Sequence, residues 1–123
     1  MFHYSCPAHF SQAAAVTAVR DGEDLVTETV ARYHQARDLV IDRLDAMPKV
    51  RVHRPDGAFY AFFAVEGMDY SLERCKDILR QTHVGLAPGA AFGERGEGFI
   101  KLCFASALAR LDDAMNRIEP FFC

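Results

Sequence analysis

A single stripe of apolar residues constrains the fold of this chain more than any other feature of its sequence. From about Glu23 to Met47, apolar residues recur every three or four positions, which places them along one side of a helix. The stripe consists of Val26, Val30, Tyr33, Ala36, Val40, Leu44 and Met47. Pro48 follows and ends the helix. Such a helix must bury its stripe, so the remaining chain has to supply a second layer.

Three shorter segments also have helical character. The segment Phe10–Arg20 is rich in alanine and ends before Asp21-Gly22, a typical stop signal. Ser71 is predicted to cap a helix that extends to about Gln81, and Ser106 to cap the last helix. The apolar positions of these two helices are Leu72, Cys75, Ile78 and Leu79, and Leu108, Leu111, Met115 and Ile118.

Four apolar segments lie between these helices and are predicted to be strands. They are Val50–His53, Ala58–Val65, Val84–Ala87 and Phe99–Ala105, with a tight turn at 54–57 and a loop at 88–98. The order of elements predicts an α+β fold, in which a small, mostly antiparallel sheet of three to four strands has helices packed on one side. The second strand is apolar on both faces, which suits a strand covered on both sides, and part of that cover could come from a domain outside the chain.

The last predicted strand carries one charge. Its alternation turns Ile100, Leu102 and Phe104 toward the helices and Lys101 toward the opposite face. Two interpretations of Lys101 are open. It either faces water on the open side of the sheet, or forms an anion site, in which apolar neighbours strengthen the effect of a rigidly held cation.

The composition argues against several classes of partner. The chain has 14 basic and 17 acidic residues and a net charge of −3, which gives no electrostatic reason for binding nucleic acid or an anionic membrane. No apolar run approaches the roughly 20 residues that span a bilayer, and the first residues do not resemble a secretory signal. The four cysteines are scattered, which predicts reduced thiols in a cytoplasmic protein.

Other candidate sites have simpler explanations. His3, Cys6 and His9 are spaced by three, but Pro7 interrupts any helix that would align them as zinc ligands, so no metal is predicted. Cys103 lies on the face of Lys101, which could lower its thiol pKa, although a small apolar filler is the simpler reading. The glycines at 93–98 resemble a phosphate loop, but two glutamates among them would repel phosphate and favour a flexible connection.

Three motifs occur in a familiar order: Pro55–Tyr60, Val84–Gly93 and Gly96–Ala105. Together they resemble the C-terminal small domain of class I/II aminotransferases, which depend on pyridoxal phosphate. Leu108–Met115 is similar to the final helix of that family. Ser5–Ala14 is similar to the stretch that follows its cofactor region.

The resemblance therefore predicts two parts. Residues 1–22 are a partly helical segment that follows a missing cofactor domain, and residues 23–123 are the small domain.

The resemblance implies an enzyme that moves an amino group between an amino acid and a 2-oxo acid. In this family a lysine forms a Schiff base with pyridoxal phosphate, and a large domain earlier in the chain holds the cofactor. The three lysines here are Lys49, Lys76 and Lys101, and none has the family's serine-x-x-lysine setting. We therefore expect no catalytic residue in this chain, no pyridoxal phosphate bound to it alone, and no activity in isolation.

The resemblance also implies a substrate-binding residue. The family binds the substrate α-carboxylate with an arginine in its penultimate strand, and Lys101 occupies the matching position. An ammonium acts as a point charge where a guanidinium forms two parallel bonds. Lys101 could thus hold the carboxylate more loosely, serve an altered substrate, or belong to a degenerate copy. Phe59 and Tyr60 lie in a strand that approaches the substrate in the family, although core packing would explain them equally.

Two classes of function remain at this point. The chain is either a domain of an aminotransferase, or a stand-alone α+β module that acts through binding or self-association. The family is typically homodimeric, so a homo-oligomer is expected. For the isolated chain, the two-sided apolar strand and the face of Phe99 and Cys103 predict self-association.

Overall fold

The computed structural model describes residues 6–123, which form four helices, four strands and three short 3-10 turns. The helices are α1 (His9–Asp21), α2 (Glu23–Asp45), α3 (Ser71–Thr82) and α4 (Leu108–Ile118). The strands are β1 (Val50–Val52), β2 (Tyr60–Val65), β3 (Ala87–Pro88) and β4 (Phe99–Cys103). The 3-10 turns are Gly89–Phe92, Glu94–Gly96 and Glu119–Phe121. Among residues 6–123, no helix has both the length and the apolar character that a bilayer crossing requires.

The four strands form one antiparallel sheet in the order β1-β2-β4-β3. Val50 pairs with Val65, Phe62 with Lys101, and Lys101 with Ala87 on its other side. The predicted α+β class, the antiparallel sheet and the order of elements are therefore confirmed. The third strand has only two residues and begins at Ala87, where the predicted strand ends.

The chain divides into two compact units, one through Arg32 and one from Tyr33 to Cys123. In the described part of the first unit, α1 buries none of its residues. The apolar stripe of α2 is buried only toward its end, at Ala36, Val40 and Leu44, with Met47 buried just beyond the helix. The predicted division between residues 22 and 23 stays a prediction.

The hydrophobic core of the second unit lies on one face of the sheet. Ala61, Phe63 and Val65 of β2 alternate with exposed or half-buried neighbours, which is the period-two pattern of a strand. In β4 the buried residues are Ile100 and Leu102, and Phe104 follows them, as the alternation predicted. These side chains pack with buried residues of α2, α3 and α4 in one cluster.

The other face of the sheet, the open face, carries Tyr60 and Phe62 of β2 and Phe99, Lys101 and Cys103 of β4. Tyr60 and Phe62 are 37% and 41% exposed, respectively. Within the second unit, the helices pack against β2 on the core face only, so no helix of that unit covers the open face of this strand.

Both predicted serine caps are wrong. Ser71 is the first residue of α3 and is fully buried, and its hydroxyl accepts a hydrogen bond from the amide of Ala90. The carboxylate of Glu97, from a distant loop, accepts the hydrogen bond from the Ser71 amide. The capping position of α4 is Ala107, whose carbonyl accepts hydrogen bonds from the amides of Arg110 and Leu111, and no side chain caps this helix.

The turn before β2 ends in a residue with a left-handed backbone conformation. The residue in the left-handed region is Ala58, with φ of 62°, and not Gly57. Ala58 thus carries a Cβ in a conformation that glycine adopts without penalty.

Candidate functional site

The ammonium of Lys101 lies between two aromatic rings on the open face. Its Nζ is 3.9 Å from the ring centroid of Tyr60 and 4.4 Å from that of Phe92. Both distances are within the range of a cation–π interaction. Within residues 6–123 no carboxylate lies near enough to form an ion pair with this ammonium. The charge is therefore held in place by aromatic rings and stays available to an anion.

A shallow concavity of about 280 Å³ adjoins this ammonium. Its lining consists of Tyr60, Gly85, Leu86, Ala87, Phe92, Lys101 and Cys103. Lys101 is the single charged residue in this lining, and the other side chains are apolar or aromatic apart from the Tyr60 hydroxyl and the Cys103 thiol. Apolar walls lower the local dielectric and so strengthen the attraction of a small anion to the ammonium.

The structure separates the two aromatic candidates of the sequence. Tyr60 is the first residue of β2 and pairs with Cys103 of β4, so its ring meets the Lys101 ammonium diagonally across the two strands. Phe59 is half-buried, packs against the core, and its ring lies 5.7 Å from that of Tyr33 and 4.5 Å from that of Tyr60. Phe59 does not line the concavity. Its ring packs against Tyr60, and it is the Tyr60 ring that contacts the Lys101 ammonium.

Phe92 is the residue that sequence reasoning missed. It ends the first 3-10 turn of the loop after β3 and is 54% exposed, yet it is the second ring over Lys101. The signal in the sequence was a lone aromatic residue within a glycine-rich loop next to a lysine-bearing strand. Phe92 directly precedes the segment 93–98 that was predicted to be a flexible connection, and no periodic pattern relates its ring to Lys101.

The aromatic contacts continue beyond Lys101 on the open face. Phe62 stacks on Phe99 at a centroid distance of 5.0 Å and meets Phe92 edge-on at 6.2 Å. A second concavity of about 450 Å³ is lined by Phe62, Phe92 and residues 93–96. The loop after β3 and the open face thus form one continuous surface, in which aromatic rings surround Lys101 and the charged residues Glu94 and Arg95 line the second concavity.

The four cysteines are in the free thiol form. Cys103 is exposed and lines the concavity beside Lys101, whereas Cys75 is buried in α3. Burial, with a smaller contribution from the charge of Glu97, raises the pKa of Cys75 to about 11. Residues 6–123 contain no cluster of metal-ligating side chains, and His3 of the weighed zinc alternative lies outside them.

The Lys101 concavity by itself does not fit pyridoxal phosphate. That cofactor needs a lysine for its aldehyde, an anion-binding group for its phosphate and a partner for its pyridine nitrogen. Lys49 donates to the Cys123 carbonyl at 2.7 Å, and Lys76 pairs with Glu73 at 2.7 Å. The Lys101 concavity has one cation and no carboxylate in its lining. A single ammonium cannot both carry the aldehyde and bind the phosphate, so no step through the cofactor is assigned to these residues.

Comparison with known proteins relates the chain to one family. The profile of the family "Aminotransferase class I and II" matches residues 2–118. The chain is 38% identical over 115 residues to an aspartate aminotransferase of Pyrococcus horikoshii. It is 35% identical over 122 residues to aromatic-amino-acid aminotransferase 2 of Thermococcus litoralis. These alignments cover 91% and 97% of this chain but 29% and 31% of the two relatives.

Solved structures agree with this similarity. An alanine aminotransferase from Pyrococcus furiosus superposes with a TM-score of 0.88 at 31% identity. An aminotransferase from Mycobacterium tuberculosis superposes with a TM-score of 0.88 at 32% identity. They match 95% and 98% of this chain over 30% and 32% of their own lengths. The chain thus spans about three tenths of the length of the relatives it matches.

Proposed function

Because this chain belongs to the class I and II aminotransferase family, we propose that it is the C-terminal small domain of a pyridoxal-phosphate-dependent aminotransferase. Its proposed contribution is to bind the α-carboxylate of the substrate. The observation that carries this proposal is the Lys101 ammonium, held on a strand beside a concavity of about 280 Å³ without a carboxylate partner among residues 6–123. The parent enzyme would move an amino group between an amino acid and a 2-oxo acid, and both bear a carboxylate for Lys101.

The rings around Lys101 would determine how it binds that carboxylate. Tyr60 and Phe92 restrict the ammonium without neutralising it, so its charge is preorganised toward the concavity. An ammonium attracts a carboxylate from many directions, whereas a guanidinium aligns both oxygens through parallel hydrogen bonds. Lys101 would therefore supply affinity and leave the orientation of the substrate to the rest of the enzyme.

Pyridoxal phosphate would supply the electron sink that accepts electrons from the substrate α-carbon. In this proposal, residues of the parent enzyme outside the chain hold the cofactor and remove the proton. The chain alone would then be inactive and bind no pyridoxal phosphate. Adding the cofactor to the isolated chain should produce no visible absorbance of a lysine-bound form. A band that is lost on Lys101→Ala but kept in variants of Lys49 and Lys76 would contradict the proposal.

The carboxylate role of Lys101 can be tested by steady-state kinetics. The enzyme for this test is the full-length parent or a chimera in which this chain replaces the matching segment of the Pyrococcus horikoshii relative. Loss of a charge-assisted hydrogen bond costs about 1.5–3 kcal/mol, so Lys101→Ala should raise KM for the amino acid roughly 10- to 100-fold. Lys101→Arg should keep or lower KM.

The control for this test is Lys76→Ala, because Lys76 lies on α3 and pairs with Glu73. Its KM should equal that of the unaltered enzyme. An unchanged KM in Lys101→Ala would refute the carboxylate role, since the removed ammonium is the single cation lining the concavity.

The alternative of a stand-alone binding module is not favoured, because the similarity to aminotransferases extends over nearly the whole chain.

We do propose that the parent enzyme is a homo-oligomer in the cytoplasm. The isolated chain should self-associate through the open face, where Phe62 is 41% exposed. Sedimentation should show a mass that rises with protein concentration, and Phe62→Arg should suppress the rise. A monomer at high concentration would contradict this proposal.

A further inference from the structure

The loop that carries Phe92, here named the glycine loop (Gly89–Gly98), is closed at its base by two glycines. A Cβ built on Gly89 would lie 2.0 Å from the carbonyl oxygen of Gly96, and one built on Gly96 would lie 2.0 Å from that of Gly89. The two backbones therefore approach more closely than any side chain would permit. Both residues are buried, so this contact fixes where the two ends of the loop leave the fold.

A second set of contacts fastens the same loop to the beginning of α3. One carboxylate oxygen of Glu97 accepts hydrogen bonds from the amide of Ser71 and, at 3.3 Å, from the amide of Gly98. The hydroxyl of Ser71 accepts one from the amide of Ala90 at 3.3 Å. Both ends of the glycine loop are thus attached to a single residue, Ser71, which is fully buried.

This attachment is electrostatically favourable. The first amides of a helix have no partner within the helix, and its N-terminus attracts negative charge. The hydrogen bond from the Ser71 amide accordingly lowers the pKa of Glu97. Glu97 acts as the cap of α3 from a position 26 residues along the chain.

Phe92 depends on this loop for its position. Its side chain is 54% exposed, so packing alone restrains it little, yet its ring centroid is 4.4 Å from the Lys101 ammonium. The ring also meets Phe62 edge-on at 6.2 Å. Displacement of the loop would carry the ring away from Lys101, and Tyr60 would remain as the single ring beside the ammonium.

We propose that Glu97 is a positioning residue for Lys101. Its hydrogen bonds hold the glycine loop against α3, the loop holds the ring of Phe92, and Phe92 with Tyr60 holds the ammonium in the concavity. The carboxylate-binding role of Lys101 belongs to the proposed function, and in that respect this inference rests on it. The position of the Lys101 side chain is nevertheless measurable without any substrate.

Nuclear magnetic resonance of the full chain labelled with carbon-13 in lysine tests the proposal, at protein concentrations at which sedimentation shows a monomer. The chain has three lysines, so three ε-methylene signals are expected. The Lys101 signal should be upfield of those of Lys49 and Lys76, because ring currents shield a group above an aromatic face. Phe92→Leu should move the Lys101 signal toward the other two.

The decisive pair of variants is Glu97→Ala and Glu97→Gln. The alanine removes the hydrogen-bond acceptor and should move the Lys101 signal in the same direction as Phe92→Leu. The glutamine keeps a carbonyl acceptor and should retain most of the upfield shift. The matched control is Glu94→Ala, because Glu94 is exposed on the same loop. Its side chain takes no part in the hydrogen bonds that attach the loop to Ser71.

Unchanged signals of the buried methyl groups of Ile78 and Met115 would show that the core stays folded in each variant. If Glu97→Ala does not fold, Ser71→Ala provides a second test. It removes the hydroxyl that accepts the hydrogen bond from the Ala90 amide, and it should reduce the upfield shift of the Lys101 signal. The proposal is overturned if Glu97→Ala folds and leaves the Lys101 signal in place, or if Phe92→Leu does. It stands if the signal moves as expected while Lys101→Ala leaves KM unchanged, an outcome that would refute the carboxylate role alone.

Discussion

The contact between Gly89 and Gly96 makes Gly96→Ala the most informative single substitution. The new Cβ would lie 2.0 Å from the Gly89 carbonyl oxygen and 2.6 Å from its carbonyl carbon. Ordinary van der Waals contact begins at 3.4 Å, so the two segments would have to separate by about 1.4 Å. Both obstructing atoms belong to the backbone and cannot rotate away as a flexible side chain would.

The expected loss of stability follows from this geometry. Inserting atoms into well-packed regions costs about 1–3 kcal/mol. Because backbone has to move on both sides of the contact, Gly96→Ala should lower the free energy of unfolding by about 2–3 kcal/mol. Gly85→Ala is the matched control, since a Cβ there meets nothing within 4 Å and Gly85 has no left-handed φ. That control should be neutral or stabilising by about 0.5 kcal/mol.

Urea denaturation followed by circular dichroism measures both variants, and the chain has no tryptophan whose fluorescence could serve instead. A shift of the midpoint at constant slope reports a change in stability. The same preparation gives the Lys101 ε-methylene signal, which should lose its upfield shift in Gly96→Ala because the loop moves. Stability within 0.5 kcal/mol of the unaltered chain would refute the inferred close approach. Equal losses in Gly96→Ala and Gly85→Ala would do the same.

Three further predictions concern single residues. Ala58→Gly should raise the free energy of unfolding by about 0.5–1 kcal/mol in urea, because φ at Ala58 is 62° and a Cβ is unfavourable there. At pH 8 Cys75 should react with a disulfide reagent far more slowly than exposed Cys103, because burial raises the pKa of Cys75 to about 11, and equal rates would contradict this. The pKa of Glu97 is lowered from its ordinary 4.5 by the Ser71 amide, so its stabilisation is present above pH 4.5 and lost as the pH falls further. Glu97→Gln should flatten that acid dependence in urea midpoints measured at successive pH values, and an unaltered profile would count against the hydrogen bond.

Much of the fold could be predicted from local periodicity. The burial of Ala36, Val40 and Leu44 follows from a period of three to four, and that of Ile100 and Leu102 from a period of two. These patterns repeat within a few residues, so a single stretch of sequence is enough to read them. The candidate site was predicted in part for the same reason, since the alternation of β4 separates Lys101 from the buried residues.

The errors at Ser71 and Phe92 fall where a contact joins distant segments. Serine is a residue type that often caps helices, yet the side chain that caps α3 is that of Glu97. The hydroxyl of Ser71 accepts a hydrogen bond from the amide of Ala90 instead. Phe92 lies in a loop without periodicity, so no local pattern relates its ring to Lys101.

The sequence by itself determined the order of elements and the face of β4 that is buried, because both depend on residue types at short, regular spacings. The resemblance to the family came from three motifs in a fixed order along the chain. The tertiary structure decided what surrounds the Lys101 charge. Two aromatic rings contact it, Tyr60 from β2 and Phe92 from the glycine loop. That loop is closed by the contact between Gly89 and Gly96, and the carboxylate of Glu97 binds it to the first residue of α3. These contacts arise from the path of the backbone through space, which is established only when the sheet and helices have packed.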